Sequence, residues 1–449
     1  MIKKCVKGVI SIVYQSDFKE QYSKIKSVVT KDKLISFQEE YLQKLLLHAY
    51  YNVPYYHSIF DKIGIIKNDK ADLSKFDEIP ILTKEIIRKY QKELISNDYK
   101  TRKWYYNSSG GSTGEPVRFI QDDLYDKWGN ATYQFYYKDI LSIDEPNTKK
   151  IIIWGSERDL FQGGIGIKAK ITNWLANTVF LNSFKMTDKD MDNYIKIINS
   201  FKPELIRGYA GSLFELCRYA EKRNIKIYKP KILVSAAETL SNDMREKIET
   251  VFGTKLYDFY GSRETNNLAG ECKEGLMHVL AFHNYVEILN NDNTPVKIKT
   301  LLREEGKIIV TNLHNYSMPF IRYEIGDMAV PGPDVCNCGN LLPTLKKITG
   351  RITDHFIKED GTIIHGEYFT HLFYLKDWIK AFQIIQEGFK KVRALVVLKD
   401  IINESEKIEI ENKIKFLMGH DCQITWDFVD EIPKTKSGKY LYIKSLLRK

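Results

Sequence analysis

The residues in this sequence that most directly suggest chemistry are SSGGSTGEP at 108–116. Gly110, Gly111 and Gly114 let a backbone approach a ligand closely, while Ser108, Ser109, Ser112 and Thr113 offer hydroxyl donors, so the loop is suited to enclosing phosphate oxygens. It is not a Walker loop. That motif closes on Gly-Lys-Ser/Thr, which puts an ammonium on the phosphates and a hydroxyl on magnesium, whereas Gly114 is followed here by Glu115 and Pro116. Taken alone, the same composition also describes a flexible linker.

A second set of reactive side chains is independent of phosphate. Cys272 and His278 stand in ECKEGLMH, and Cys336 and Cys338 in CNCG, four soft or borderline ligands able to close a tetrahedral zinc site. Four protein ligands would make such a metal structural. The C-x-C spacing is tighter than finger spacing, and reduced cysteines beside an ordinary histidine are the alternative. Cys5, Cys217 and Cys422 read as core or incidental thiols. With six cysteines and no cleavage site after MIKKCVKGVISIVYQ, a reducing, cytoplasmic location is expected.

Further motifs follow the glycine-rich loop: YGSRE at 260–264, RYEIGD at 322–327, GRITD at 350–354 and PKTKSGK at 433–439. In their order and separation they resemble the acyl-adenylate-forming superfamily. Within it, the chain is similar to the phenylacetate–coenzyme A ligase branch and to its capsular-polysaccharide-biosynthesis relatives, from NVPYY and IPILTK to the final glycine-lysine. The resemblance implies that the 108–114 loop closes over ATP phosphates, that Tyr260 and Gly261 border nucleotide and substrate, and that Glu264 binds Mg2+. It also implies that Asp327 and Arg351 reach the ribose, that Ala237 and Glu238 border adenine, and that Lys439 neutralises charge during adenylation. The cysteines and histidine match a structural metal site in relatives of this branch. At the family's pivot, where many relatives carry Asp or Lys, this sequence has Thr353, and Tyr442 stands where the family often has Arg.

The elements that must position these residues are legible as patterns. From 150 to 260, short apolar runs (KIIIW, ELIRG, KILVS, LYDFYG) alternate with helical segments, which predicts an α/β layered region with largely parallel strands. Residues 276–330 read as a strand-rich subdomain. Past Gly350, VRALVVL, a polar helix near 405–418 and QITWDFV predict a compact α+β unit. The expected division is therefore a large N-terminal domain, 1–350, that binds ATP and the acid, and a small mobile C-terminal lid, 351–449, carrying Lys439. Toward the amino end, Leu42, Leu45, Leu46 and Ala49 mark an amphipathic helix, with an extended turn expected at NVPYY. Thr83 is placed to cap another helix whose first turn holds Glu85.

Composition narrows the function. Hydrophobic residues at 43% and charged residues at 28% exclude wholesale disorder and a long apolar membrane run. A net charge of +10 favours anionic ligands such as nucleotides, but the lysines are spread along the chain, which disfavours nucleic acid. The reading is an AMP-forming ligase: a carboxylic acid and ATP give acyl-AMP and pyrophosphate, and an acceptor then displaces AMP. Coenzyme A is the default acceptor, with an amino sugar or a carrier-protein thiol as alternatives. A nucleotide-binding scaffold without catalysis and a cysteine-histidine nucleic-acid protein are the competing classes.

Overall fold

The computed structural model describes residues 17–109, 117–155, 177–238, 240–290, 293–295, 305–349, 355–373, 376, 378–432 and 442–447. It divides into two compact units, each drawing on separated stretches of chain: Met1–Ser109 with Val117–Pro146 and Tyr257–Gly350, and Gly110–Pro116 with Asn147–Leu256 and Arg351–Lys449.

The first unit opens with the helices Lys19–Ser27, Lys31–Asn52 and Pro54–Ile63. Thr30 caps the second by accepting a hydrogen bond from the Lys33 N–H at 3.3 Å, and the face Leu42, Leu45, Leu46, Ala49 is buried as its spacing predicts. NVPYY differs from the expected extended turn. Only Val53 is extended, and Pro54 takes the first position of a new helix, where its missing N–H costs no hydrogen bond. Thr83 caps Lys84–Lys89 through the Ile86 N–H, with Glu85 in the first turn, as expected.

Antiparallel strands form the sheet of this unit, in the order Asn284–Leu289, Gly306–Asn312, Tyr323–Pro331, Thr344–Thr349, Met277–Val279, Asn266–Glu271, Leu256–Ser262. This is the strand-rich region that 276–330 predicts. The hairpin Trp104–Ser108 with Arg118–Asp122 is a separate antiparallel pair, and residues 110–116 join its strands. Helix Asp123–Phe135 follows directly, capped by the carboxylate of Asp122.

In the second unit, the strands Thr178–Asn182, Lys150–Trp154, Leu205–Tyr209 and Ile232–Ala236 lie side by side and parallel, with helices Asp188–Phe201 and Ala210–Lys222 between them in sequence and Asn242–Phe252 after the last. Ile151, Ile153, Ile206 and Leu233 are wholly buried in one core with Ile198, Leu213 and Leu216 of the helices. Strands Lys391–Leu398 and Gln423–Phe428 are parallel neighbours joined through helix Glu404–Met418, the β-α-β unit expected from sequence. Ile379–Gly388 and Ile443–Ser445 complete that sheet. Carboxy-terminal residues share a core with the α/β strands: Phe184 and Tyr209 are buried with Phe356, Tyr368 and Phe382, and Met186 pairs with Ile363 across a short antiparallel ladder. Among the described residues, no helix is long and apolar enough to cross a membrane.

In the core of the first unit, His283 and His314 have no solvent exposure. His314 stacks on Trp128 at 4.1 Å and 5°, and its Nε2 donates to the Phe282 carbonyl at 2.8 Å. His283 Nε2 lies 3.1 Å from the Asn312 amide nitrogen, which donates to it. Burial holds both rings neutral, pushing His283 down to about 3 and His314 well below the usual imidazole range. Unfolded, each binds a proton near pH 6.5 that the folded chain refuses, so stability is complete above that pH and lost as pH falls below it. The expected slope is about 1.4 kcal/mol per pH unit for each histidine. Urea midpoints between pH 7 and pH 5 check this, and a flat profile would contradict it.

Candidate functional site

Two of the sequence motifs meet in the first unit through side-chain bonds at two points. Tyr260 Oη donates to Asp327 Oδ2 at 2.7 Å, and Tyr323 Oη donates to Glu264 Oε1 at 3.2 Å. Residues 260–264 and 323–327 therefore clamp one another through bonds four residues apart. Local irregularities make this fit. Ladder register shifts at Tyr260 and Gly261, and Gly261 approaches the Asn266 carbonyl so closely that an added Cβ would lie 2.3 Å from its oxygen. Along Tyr323–Pro331, Met328 pairs with Lys307 and Glu324 with Ile309, so Ile325, Gly326 and Asp327 bulge opposite Ile308, with Gly326 at φ 92°.

Glu264 is 6% exposed and has a cationic neighbour: Lys84 Nζ stands 3.9 Å from Oε1, itself largely buried. Lys84 arrives there because Leu82 is bonded in both directions to the motif strand, its N–H to the Arg322 carbonyl and its carbonyl to the Glu324 N–H. In sequence IPILTK marks a helix start and one end of the family resemblance, and nothing in it singles out this lysine. A carboxylate and an ammonium together suit a metal-phosphate cluster, the carboxylate holding the cation and the ammonium an anionic oxygen.

Arg322, the first residue of RYEIGD, has a different task. Its guanidinium makes a two-pronged ion pair with Glu287 at 3.1 and 3.0 Å and donates to the carbonyls of Asp77 and Ile79. At 3% exposure it is committed to the fold. His48, Ser96 and Asp98 also meet, yet Ser96 is wholly buried and donates to Asp98, which a bidentate bond to Arg102 engages. That set is a structural network and not a nucleophile with its base.

Ser108 ends its strand opposite Arg118, and buried Ser109 ties the hairpin shut: its N–H donates to the Val117 carbonyl at 2.9 Å and its Oγ accepts from the Val117 N–H at 2.9 Å. Gly110, Gly111, Ser112, Thr113 and Gly114 lie outside the described residues, as do Arg351 and Lys439. In the second unit, Ala237 follows strand Ile232–Ala236 with φ 67°, and Glu238 Oε2 accepts from the Gly211 N–H at 2.7 Å, at the first turn of Ala210–Lys222. That bond suits a carboxylate, because helix N-termini attract negative charge.

The four metal-ligand candidates converge within the first unit. One ligand atom from each of Cys272, His278, Cys336 and Cys338 lies within 4.8 Å of the others. Cys272 Sγ is 3.7 Å from Cys336 Sγ, and Cys338 Sγ is 3.2 Å from His278 Nε2. Zinc–sulfur bonds of about 2.3 Å at tetrahedral angles set thiolates about 3.8 Å apart, so the donor set fits that ion. His278 Nδ1 donates to the Leu342 carbonyl at 3.2 Å, which directs the Nε2 lone pair toward the cysteines. Two turns deliver the thiols: the Gly275 N–H bonds the Cys272 carbonyl and the Gly339 N–H the Cys336 carbonyl, both glycines at φ near 80°. Burial works against a Cys272 thiolate, yet its contacts with His278 and two backbone N–H groups outweigh it and lower its pKa. Burial pushes Cys338 up to about 12. Protons alone thus leave these neighbouring sulfurs unequal, and a divalent cation would ionise both.

Comparison with known proteins follows the same lines. The CapK C-terminal domain family matches residues 356–446. Protein CapK of Staphylococcus aureus is 24% identical over 450 residues, covering 97% of this chain and 94% of that protein. The phenylacetate-coenzyme A ligase of Thermus thermophilus is 23% identical, covering 91% and 96%, and that of Escherichia coli K12 is 26% identical, covering 73% of each. Among solved structures, 2-hydroxyisobutyryl-CoA ligase in complex with 2-HIB-AMP and CoA shares the fold, with a TM-score of 0.60 at 16% identity over 92% of this chain and 90% of that one.

Arg322→Met should destabilise the protein by about 3 kcal/mol, because it strands the buried Glu287 carboxylate without its cation. Denaturant unfolding measures this. A change under about 1 kcal/mol would show that the Glu287 pair does not commit Arg322 to the fold.

Proposed function

We infer that this chain, which is homologous to CapK and to the phenylacetate-coenzyme A ligases and carries a CapK C-terminal domain, is an AMP-forming acyl ligase. The observation that carries the reading is a relationship spanning 97% of the chain, joined to a buried carboxylate and ammonium, Glu264 and Lys84, that suit such chemistry. In this reading ATP and a carboxylic acid bind first. Glu264 holds Mg2+, which would screen the phosphate oxygens, and Lys84 supplies a second positive charge beside it. Asp327, oriented by Tyr260, accepts hydrogen bonds from the ribose hydroxyls, and Tyr260 and Gly261 border the nucleotide and substrate. The 108–114 loop encloses phosphates, Arg351 adds a ribose contact, and Ala237 and Glu238 border adenine.

Attack of the acid's carboxylate on the α-phosphorus expels pyrophosphate and leaves acyl-AMP. Charge builds on the phosphoryl oxygens, and Lys439, carried on a C-terminal lid of residues 351–449 against a body of 1–350, meets it there. Acyl transfer to coenzyme A completes the cycle. The CapK relationship extends the reading to surface-polysaccharide biosynthesis, where an amino sugar or a carrier protein would take the acyl group. A scaffold without catalysis is the weaker alternative, since a mere nucleotide binder has no use for both a metal carboxylate and a tail lysine.

Pyrophosphate release over a panel of carboxylic acids tests the enzyme class, and no release with any acid would favour the scaffold. With an acid identified, Lys439→Ala should lower adenylation by about 100-fold or more while supplied acyl-adenylate is still consumed. Loss of both half-reactions would contradict the role.

Cys272, His278, Cys336 and Cys338 are proposed to hold a structural Zn2+. The isolated protein should contain one zinc per chain, and Cys336→Ser with Cys338→Ser should lose it and melt at lower temperature, read by metal analysis and calorimetry. Native protein free of zinc would withdraw the site.

A further inference from the structure

We propose that Gln121 is a positioning residue that holds the glycine-rich hairpin in register with the Glu264 carboxylate. Gln121 is 1% exposed and stands in strand Arg118–Asp122, opposite Tyr105. Its Nε2 donates to the Arg263 carbonyl at 2.8 Å, one residue before Glu264. Its Oε1 accepts from Asn107 Nδ2 at 2.8 Å and lies 3.2 Å from Tyr105 Oη. Asn107 Oδ1 in turn accepts from the Ser108 N–H at 2.8 Å.

The outcome is a relay of amides: from the backbone that enters residues 110–116, through Asn107 and Gln121, to the peptide that carries Glu264. Each link is directional, because an amide presents its donor and acceptor at fixed positions, so moving one end moves the other. Tyr125 Oη also points at the Arg263 carbonyl, but at 3.4 Å, and it belongs to the following helix and not to the hairpin. Gln121 is thus the hydrogen-bond bridge from hairpin side chains to this turn among the described residues. Side chains one step removed from a metal ligand commonly change metal affinity by about 10- to 100-fold when lost. A link that holds the peptide of a metal carboxylate should act on the metal–triphosphate complex and spare ligands that lack the metal.

This inference rests on the proposed ATP chemistry, and the test separates the two. Binding of MgATP and of AMP is measured by calorimetry for wild type, Gln121→Glu and Gln121→Leu. Gln121→Glu keeps the acceptor for Asn107 and removes the donor to Arg263; Gln121→Leu removes both. Each should weaken MgATP about 10-fold while AMP, which has no β- or γ-phosphate to share with a metal, changes less than about twofold. Asn107→Leu should reproduce the MgATP effect, and combining it with Gln121→Leu should add little. Unchanged MgATP affinity would overturn the proposal. An equal loss of AMP binding would also overturn it, since general damage to the fold gives that pattern. A wild-type protein that binds neither nucleotide refutes the ligase reading itself, an outcome distinct from both.

Discussion

The candidate site depends on two phenol–carboxylate hydrogen bonds, Tyr260 to Asp327 and Tyr323 to Glu264, spaced so that neither motif can slide without breaking both. Each phenol donates to one carboxylate oxygen and fixes it in place. Surrounding features serve this clamp: the close approach at Gly261, the bulge that lifts Asp327, the Leu82 ladder that brings Lys84 alongside, and the Arg322–Glu287 pair that seats the strand. Carboxylates held this way suit recognition of sugar hydroxyls and a hard cation better than catalysis by proton transfer.

Polar residues in the core extend the same economy. Neutral His283 and His314, the Asp122 carboxylate bonded to the Tyr316 and Ser317 N–H groups, and the Gln121 relay fasten irregular loops where no ladder can reach. Such groups are acceptable in a dry interior because each has a directional partner. Together they make the first unit a rigid frame for chemistry at its loops.

Much of the frame was legible in the sequence. Apolar runs such as KIIIW and KILVS, separated by amphipathic stretches, mark parallel strands because buried strands carry no polar alternation. The metal candidates were legible by residue type, although only folding brings Cys272 and Cys336, 64 residues apart, to 3.7 Å. NVPYY misled because proline that ends one helix also starts the next, and local pattern does not separate the two roles. Lys84 and Gln121 were illegible for another reason: a lysine near a helix start and a glutamine in a strand gain meaning only from distant partners, Glu264 and Arg263. Arg322 shows the converse, a motif residue whose neighbourhood makes it structural.

Phe184 and Tyr368, their rings 5.9 Å apart, join the α/β strands to the carboxy-terminal residues through apolar contact, reinforced by the Met186–Ile363 ladder. An aromatic seat of this kind behaves as a latch. It does not drift by degrees, since a gap of an ångström or two forfeits most of the attraction without admitting a water layer. Any parting of the carboxy-terminal residues from these strands would then be a jump between discrete seats, and the shape of this aromatic berth would set how long each contact lasts.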